Sequence, residues 1–207
     1  MNLSACRGRV ASMDENQQGG LAERPVEDPE SAHQNGEDGA SPDKGWMAVV
    51  TDGCDECGFS PDIDVQTTGK RVRATIPKWE AVLDRLDAPR RPAPDVWSPL
   101  EYACHVRDIN ALYRGRLDLM LAQDDPTFPN WDPDTVVVDS RYGEDDPEGV
   151  AEAYRREATQ TADQWDAVRD DEWGRRGLRD NGSTFTVATL AVYFLHDLEH
   201  HLKDVSA

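Results

Sequence analysis

The segment YFLHDLEHHLKDV, residues 193–205, combines an apolar helical pattern with three histidines and two acids. Residues four apart on a helix share one face, with Cβ atoms about 5–6 Å apart, so His196 and His200 can ligate one metal ion. His201 points about 100° away around the helix and is the weaker ligand candidate. Asp197 and Glu199, between the histidines, are candidate helper carboxylates, with solvated or pairing carboxylates as the alternative.

A histidine in another apolar segment strengthens the case for a metal. His105 lies within EYACHVRD, on the helix face that it would share with Ile109 and Leu112. Three histidines from two helices would form a metal site with an open position for water or substrate. The alternative is a set of buried core histidines without a metal. We assign nothing to His33, which lies in the N-terminal segment.

The cysteines carry a weaker pattern. Cys54 and Cys57 form a CxxC motif, which is half of a zinc-ribbon pattern, and no second CxxC exists. Neighbouring acids would raise the thiol pKa values and oppose a redox role. We interpret the motif as structural or incidental, and zinc binding with a ligand from elsewhere in the chain stays open. Cys104 is expected to be a small buried core thiol.

Bulk properties exclude several function classes. The formal net charge of −19 argues against nucleic acid and anionic membranes as partners. The chain has no run of about 18 apolar residues and no secretory h-region, so we predict a cytoplasmic protein. No glycine-rich loop for a dinucleotide or phosphate group is present. Composition predicts a disordered acidic tail over residues 1–45 and a CxxC-containing lead-in over residues 46–68.

Residues 69–207 are predicted to form a helical bundle without a convincing strand pattern. In KRVRATIPKWEAVLDRLD, apolar residues from Val72 to Leu86 recur at helical spacing, although Pro77 must kink this helix or mark its first turn. A second helix should begin after Ser98, the N-cap of a capping box with Glu101, and run to about Ala122.

Two further helices follow a long connection that is expected to pack over one end of the core. Asp146 and Pro147 can cap the third helix, and Thr186 can cap the fourth. The predicted fold class is therefore all-α, an antiparallel-type four-helix bundle with a disordered N-terminal tail. Such bundles build their sites from inward-facing side chains.

The motifs VWSPLEYACHVRD, FPNWD, DNGSTFTV and YFLHDLEHHLKDV together resemble the DinB-like superfamily, in an actinobacterial branch related to mycothiol and bacillithiol S-transferases. The resemblance covers about residues 50–205. It implies an up-down-down-up bundle with a divalent metal, zinc, nickel, manganese or iron, held by His105, His196 and His200. It also implies a homodimer.

If the resemblance extends to activity, the reaction is transfer or isomerisation through a small thiol such as mycothiol. The metal would lower the pKa of the bound thiol, which would attack an electrophile. Asp108, three residues after His105, could orient the imidazole. Arg107 is a candidate for holding a cofactor carboxylate. The rival hypothesis is a non-catalytic binding or sensing bundle that keeps the metal for stability.

Overall fold

Four long helices and a small sheet form the fold that the computed structural model describes for residues 47–207. The predicted tail, residues 1–45, lies outside the described residues. In chain order the helices are α1 (Val49–Asp52), α2 (Thr68–Leu83), α3 (Pro99–Ala122), α4 (Pro133–Asp139), α5 (Pro147–Asp166) and α6 (Val187–Asp204). The strands are β1 (Thr127–Phe128), β2 (Arg176–Arg179) and β3 (Thr184–Thr186).

The predicted N-caps are confirmed because each is a local hydrogen-bonding pattern. The Ser98 side chain accepts from the backbone N–H of Glu101, and the Glu101 carboxylate accepts from the backbone N–H of Ser98. The Asp146 side chain accepts from the backbone N–H of Gly149 at the start of α5, and Thr186 forms a second capping box with Thr189 at the start of α6. These caps satisfy backbone donors that a helix start leaves free, which fixes where three of the long helices begin.

Helices α5 and α6 each pack against both α2 and α3. Helices α2 and α5 approach closely at Gly69 of α2, where an added Cβ would stand 2.5 Å from the carbonyl oxygen of Ala162 on α5. Helix α2 begins nine residues before Pro77, which therefore lies inside the helix rather than in its first turn. Leu86, the last residue of the predicted stripe, lies beyond α2 and is fully exposed.

The predicted four-helix bundle is confirmed, but the described residues also contain short strands that the sequence pattern did not predict. The described chain contains a three-stranded sheet in the order β1-β2-β3, with β1 parallel to β2 and β2 antiparallel to β3. Strands of two to four residues are too short to show alternation. Gly182, with a φ of +92°, lies in the turn between β2 and β3, where glycine adopts positive φ without steric cost.

The long connection after α3 contains β1, α4 and a 3₁₀ turn at Tyr142–Glu144. Helix α4 and the 3₁₀ turn contact α3, and Val137 and Tyr142 are buried there. None of the helices within residues 47–207 combines the length and apolar character that crossing a lipid bilayer requires.

Candidate metal centre

Two helices bring three potential metal ligands together, and we call them the cavity cluster: His105 of α3, and Asp197 and His201 of α6. One ligand atom from each lies within 4.8 Å of the others. Asp197 Oδ1 is 3.1 Å from His201 Nε2 and 3.5 Å from His105 Nε2. Asp197 and His201 are four residues apart, so one face of α6 presents both toward α3.

The cavity cluster fits a divalent transition metal. Ligand bonds of about 2.0–2.2 Å place neighbouring nitrogen and oxygen ligands about 3–3.5 Å apart, close to the distances found here. His201 Nδ1 contacts Asp204 Oδ2 at 2.7 Å, which leaves Nε2 directed at Asp197. A carboxylate on the far nitrogen of a ligand histidine is a regular support in metal sites. The buried Nδ1 of His105 has no hydrogen-bond partner among the described residues, so this ring has unused bonding capacity.

The metal-free cavity cluster carries opposite charges in close contact. Burial alone would raise the pKa of Asp197, but hydrogen bonds from His105 and His201 hold it well below its usual range. Burial alone would lower the pKa of His201, but hydrogen bonds with Asp197 and Asp204 raise it to about 9. Burial lowers the pKa of His105. At neutral pH the cluster therefore holds an imidazolium, a neutral imidazole and one carboxylate.

The cavity cluster lines a cavity of about 760 Å³. Aromatic rings form much of its wall, and the arginines Arg116 and Arg179 stand behind them. The rim is acidic. The aromatic residues are Trp97, Tyr102, Tyr113, Trp131 and Tyr193, and the rim carboxylates are Asp95, Asp132 and Asp134. The volume is that of a small-molecule site.

Aromatic rings fix the orientation of His105. Trp131 stacks on it with ring centroids 5.2 Å apart and an interplanar angle of 27°, and the Trp97 centroid lies 5.5 Å away. The backbone beside Trp131 is anchored to the turn between β2 and β3, because the N–H of Asn130 donates to Asp180 Oδ1 at 2.7 Å. The small sheet that the sequence did not predict therefore positions one wall of the cavity.

A second set of four potential ligands lies beside the first, and we call it the Cys2His2 cluster: Cys54, Cys57, His196 and His200. One ligand atom of each lies within 4.8 Å of the others. Cys54 Sγ is 3.6 Å from His200 Nδ1. The other ring nitrogen of His200, Nε2, lies 3.7 Å from Asp204 Oδ1 and 3.9 Å from the exposed Glu56 carboxylate. His200, Asp204 and Glu56 form a third group of possible metal ligands, which is more exposed than the other two.

A family model described as the DinB superfamily matches residues 14–205. The chain belongs to the DinB superfamily. YfiT from Bacillus subtilis, described as a probable metal-dependent hydrolase with an unusual four-helix bundle topology, is similar in structure. The TM-score is 0.62 at 14% sequence identity, over 69% of this chain and 83% of YfiT. At this identity the likeness shows the fold. No curated protein matches the chain.

Within this DinB fold, the three histidines expected to share one ion fall into two groups. His105 lies with Asp197 and His201, whereas His196 and His200 lie with the CxxC motif. A single ion on His105, His196 and His200 stays a prediction, and the observed grouping favours a different division. The physical reason is the helix periodicity: α6 carries two i,i+4 pairs offset by one residue, and they face different neighbours.

Of the predicted helpers, Asp197 lines the cavity, whereas Arg107, Asp108 and Glu199 lie outside its wall. Arg107 Nε is 2.7 Å from Asp108 Oδ1, and Asp108 also accepts a hydrogen bond from the Tyr142 hydroxyl. Neither Arg107 nor Asp108 is among the described residues that line the cavity, so their roles stay predictions. Glu199 forms a bidentate ion pair with Arg71, at 2.8 and 2.7 Å.

Sequence reasoning ranked two functional candidates too low and missed others. His201 was the weaker ligand candidate and Asp197 a helper, although their spacing matches that of His196 and His200. The cavity wall residues Trp131 and Arg116 carried no local pattern, because stacking on a distant histidine depends on the tertiary fold. Cys104 is completely buried, as predicted, and burial raises the pKa of its thiol.

Proposed function

We propose that this DinB protein is a metal-dependent enzyme that uses the cavity cluster and a small thiol cosubstrate, such as mycothiol. The observation that carries the proposal is the position of the cluster: His105, Asp197 and His201 meet at the wall of a cavity large enough for a small molecule. A site held by three protein ligands leaves a coordination position for an exchangeable group. When bound, a divalent metal would lower the pKa of a coordinated thiol or water.

The surrounding residues would orient the reactants. Arg116 is buried and lines the cavity, and its Nε has no hydrogen-bond partner among the described residues. It can therefore donate to an acceptor group of a substrate. The acidic rim offers acceptors for hydroxyl groups, which suits a sugar-bearing thiol better than an anionic one. Trp131 and Trp97 shield His105 from water on its ring faces.

The proposed reaction is a nucleophilic substitution by the thiol. The thiol sulfur forms a bond to an electrophilic carbon, the leaving group departs with the bonding electrons, and the thiol proton passes to solvent through the open cavity. Asp204 holds Nδ1 of His201 and keeps its ring in place during turnover. The actinobacterial origin, the homodimer and the cytoplasmic location stay predictions.

Hydrolysis is the second candidate function, because YfiT is described as a probable metal-dependent hydrolase with a similar fold. Water would then occupy the place of the thiol. The two reactions need the same ligands and differ in the nucleophile. A non-catalytic metal-stabilised binding or sensing bundle is the rival from another class.

The experiment is a paired assay of the metal-loaded full-length chain. One series measures thiol consumption with a panel of electrophiles and mycothiol, and the other measures hydrolysis of amide and ester substrates. Thiol-dependent turnover that is lost in Asp197→Ala and kept in Glu199→Gln supports the proposal, since Glu199 lies outside the cavity. Turnover without a thiol supports a hydrolase. Metal binding without turnover in either series supports the non-catalytic rival.

A further inference from the structure

The CxxC motif and two histidines of α6 converge into a second ligand set that the proposed reaction does not use. We propose that Cys54, Cys57, His196 and His200 hold a structural zinc ion that fastens the segment before α2 to α6. Two thiolates and two imidazoles are a regular ligand set for tetrahedral zinc, with the spacing C-x₂-C and H-x₃-H. With four protein ligands the site is closed to substrate.

The geometry of the Cys2His2 cluster matches this ion. Bonds of about 2.3 Å to sulfur and about 2.0–2.1 Å to nitrogen place a tetrahedral sulfur–nitrogen pair about 3.6 Å apart. Cys54 Sγ and His200 Nδ1 are separated by 3.6 Å. All four ligand atoms lie within 4.8 Å of one another. Both described CxxC cysteines are free thiols, as zinc ligands must be.

The backbone around Cys54 and Cys57 folds into a tight turn that places both sulfur atoms next to α6. Cys54 and Phe59 form an antiparallel bridge, with the Cys54 N–H donating to the Phe59 carbonyl at 2.9 Å. Gly58, directly after Cys57, has a φ of +76°, which lets the chain turn back sharply. The buried Phe59 ring lies edge-on to His196, with centroids 5.4 Å apart.

The zinc would join parts of the chain that are far apart in sequence. Cys54 and His200 are separated by 146 positions in the sequence. Other contacts already dock the segment: the Arg71 guanidinium lies 5.3 Å from the Phe59 ring centroid and pairs with Glu199 of α6. A metal crosslink at this point would hold the lead-in against α6 when those half-buried contacts open.

The same ion would also support the cavity cluster. Asp204 reaches both clusters, with Oδ2 2.7 Å from His201 Nδ1 and Oδ1 3.7 Å from His200 Nε2. Zinc on Nδ1 of His200 would fix that ring and leave Nε2 toward the carboxylate. Asp204 is therefore a positioning residue between a structural ion and the proposed catalytic ion. This consequence rests on the proposed function, whereas the zinc site itself does not.

The experiment loads the reduced, metal-free full-length chain with Co²⁺, which substitutes for zinc and reports thiolate ligands by an intense sulfur-to-cobalt charge-transfer absorption. The wild-type chain is expected to bind two equivalents and to show this absorption. The Cys54→Ser/Cys57→Ser double variant should bind one equivalent and should not show the charge-transfer absorption. Cys104→Ser is the matched thiol control and should keep both equivalents and the absorption.

The His105→Ala variant separates this inference from the proposed function. This variant should no longer bind Co²⁺ at the cavity cluster, which has no sulfur ligands. It should keep the Co²⁺ ion at the Cys2His2 cluster and the charge-transfer absorption of that ion. If it changes nothing, the cavity cluster is not a metal site and the zinc site still stands. Absence of the absorption in the wild-type chain, or its persistence in the double variant, overturns the zinc site. If the double variant does not fold, zinc-edge X-ray absorption of His105→Ala decides: two sulfur neighbours support the site, and none overturns it.

Discussion

Metal binding to the cavity cluster is expected to strengthen steeply between about pH 6 and about pH 8. The cause is His201, whose pKa is raised to about 9 in the metal-free chain by hydrogen bonds with Asp197 and Asp204, against the opposing effect of burial. An imidazole must lose its proton before it ligates a metal. His105 adds no such cost at neutral pH, because burial lowers its pKa.

The size of the effect follows from linkage. Below the folded-state pKa of about 9 for His201, each pH unit lowers the cost of deprotonation by about 1.4 kcal/mol. The apparent Kd should therefore fall roughly 100-fold over two pH units. The raised pKa also stabilises the metal-free fold fully below about pH 6.5, and this contribution is lost as the pH rises through about 9. This contribution is on the order of a few kcal/mol of unfolding free energy.

The assay is competition with a chromophoric chelator at several pH values. It uses the Cys54→Ser/Cys57→Ser variant, so that thiol titration does not contribute to the pH dependence. Asp204→Asn is the informative partner, because it removes one of the two carboxylates that raise the pKa of His201, and it should flatten the pH dependence. An apparent Kd that stays constant between about pH 6 and about pH 8 would refute the reasoning.

Three further predictions test the packing and the cavity. Gly69→Ala should lower the free energy of unfolding by about 1–3 kcal/mol in urea titrations, because the new Cβ would crowd the Ala162 carbonyl 2.5 Å away; an unchanged midpoint contradicts the close approach. Tyr154→Phe should cost about 1 kcal/mol by the same measurement, since it removes the buried 2.6 Å hydrogen bond to Thr75. Trp131→Leu should lower kcat/KM for any thiol reaction found while metal content stays unchanged, because the histidine of α3 loses its stacking ring; unaltered kinetics would remove Trp131 from the site.

Local patterns in the sequence were enough to predict where helices begin. The capping groups of Ser98, Asp146 and Thr186 act within three residues, so their hydrogen bonds are encoded locally. The strands could not be predicted in the same way. Each is two to four residues long, and its pairing depends on a partner strand rather than on its own periodicity.

The ligand sets show where sequence reasoning ends. Helical spacing gives two equivalent pairs on α6, His196 with His200 and Asp197 with His201, and nothing local decides which pair faces α3. That choice depends on how α6 docks against its neighbours. The proposed zinc ligands of the CxxC motif cannot be predicted from a local pattern either, because they lie about 140 positions further along the chain. In the fold, the lead-in lies on one face of α6 and α3 on another, which gives the two groups of possible ligands.

The most direct test of the central claim is a crystal structure of the native, metal-containing chain with anomalous diffraction at the absorption edge of the bound metal. We predict an anomalous peak within ligand distance of His105, Asp197 and His201, separate from any peak beside Cys54 and Cys57. A single peak shared by His105, His196 and His200, or no peak at the cavity cluster in a chain that contains metal, would contradict the account.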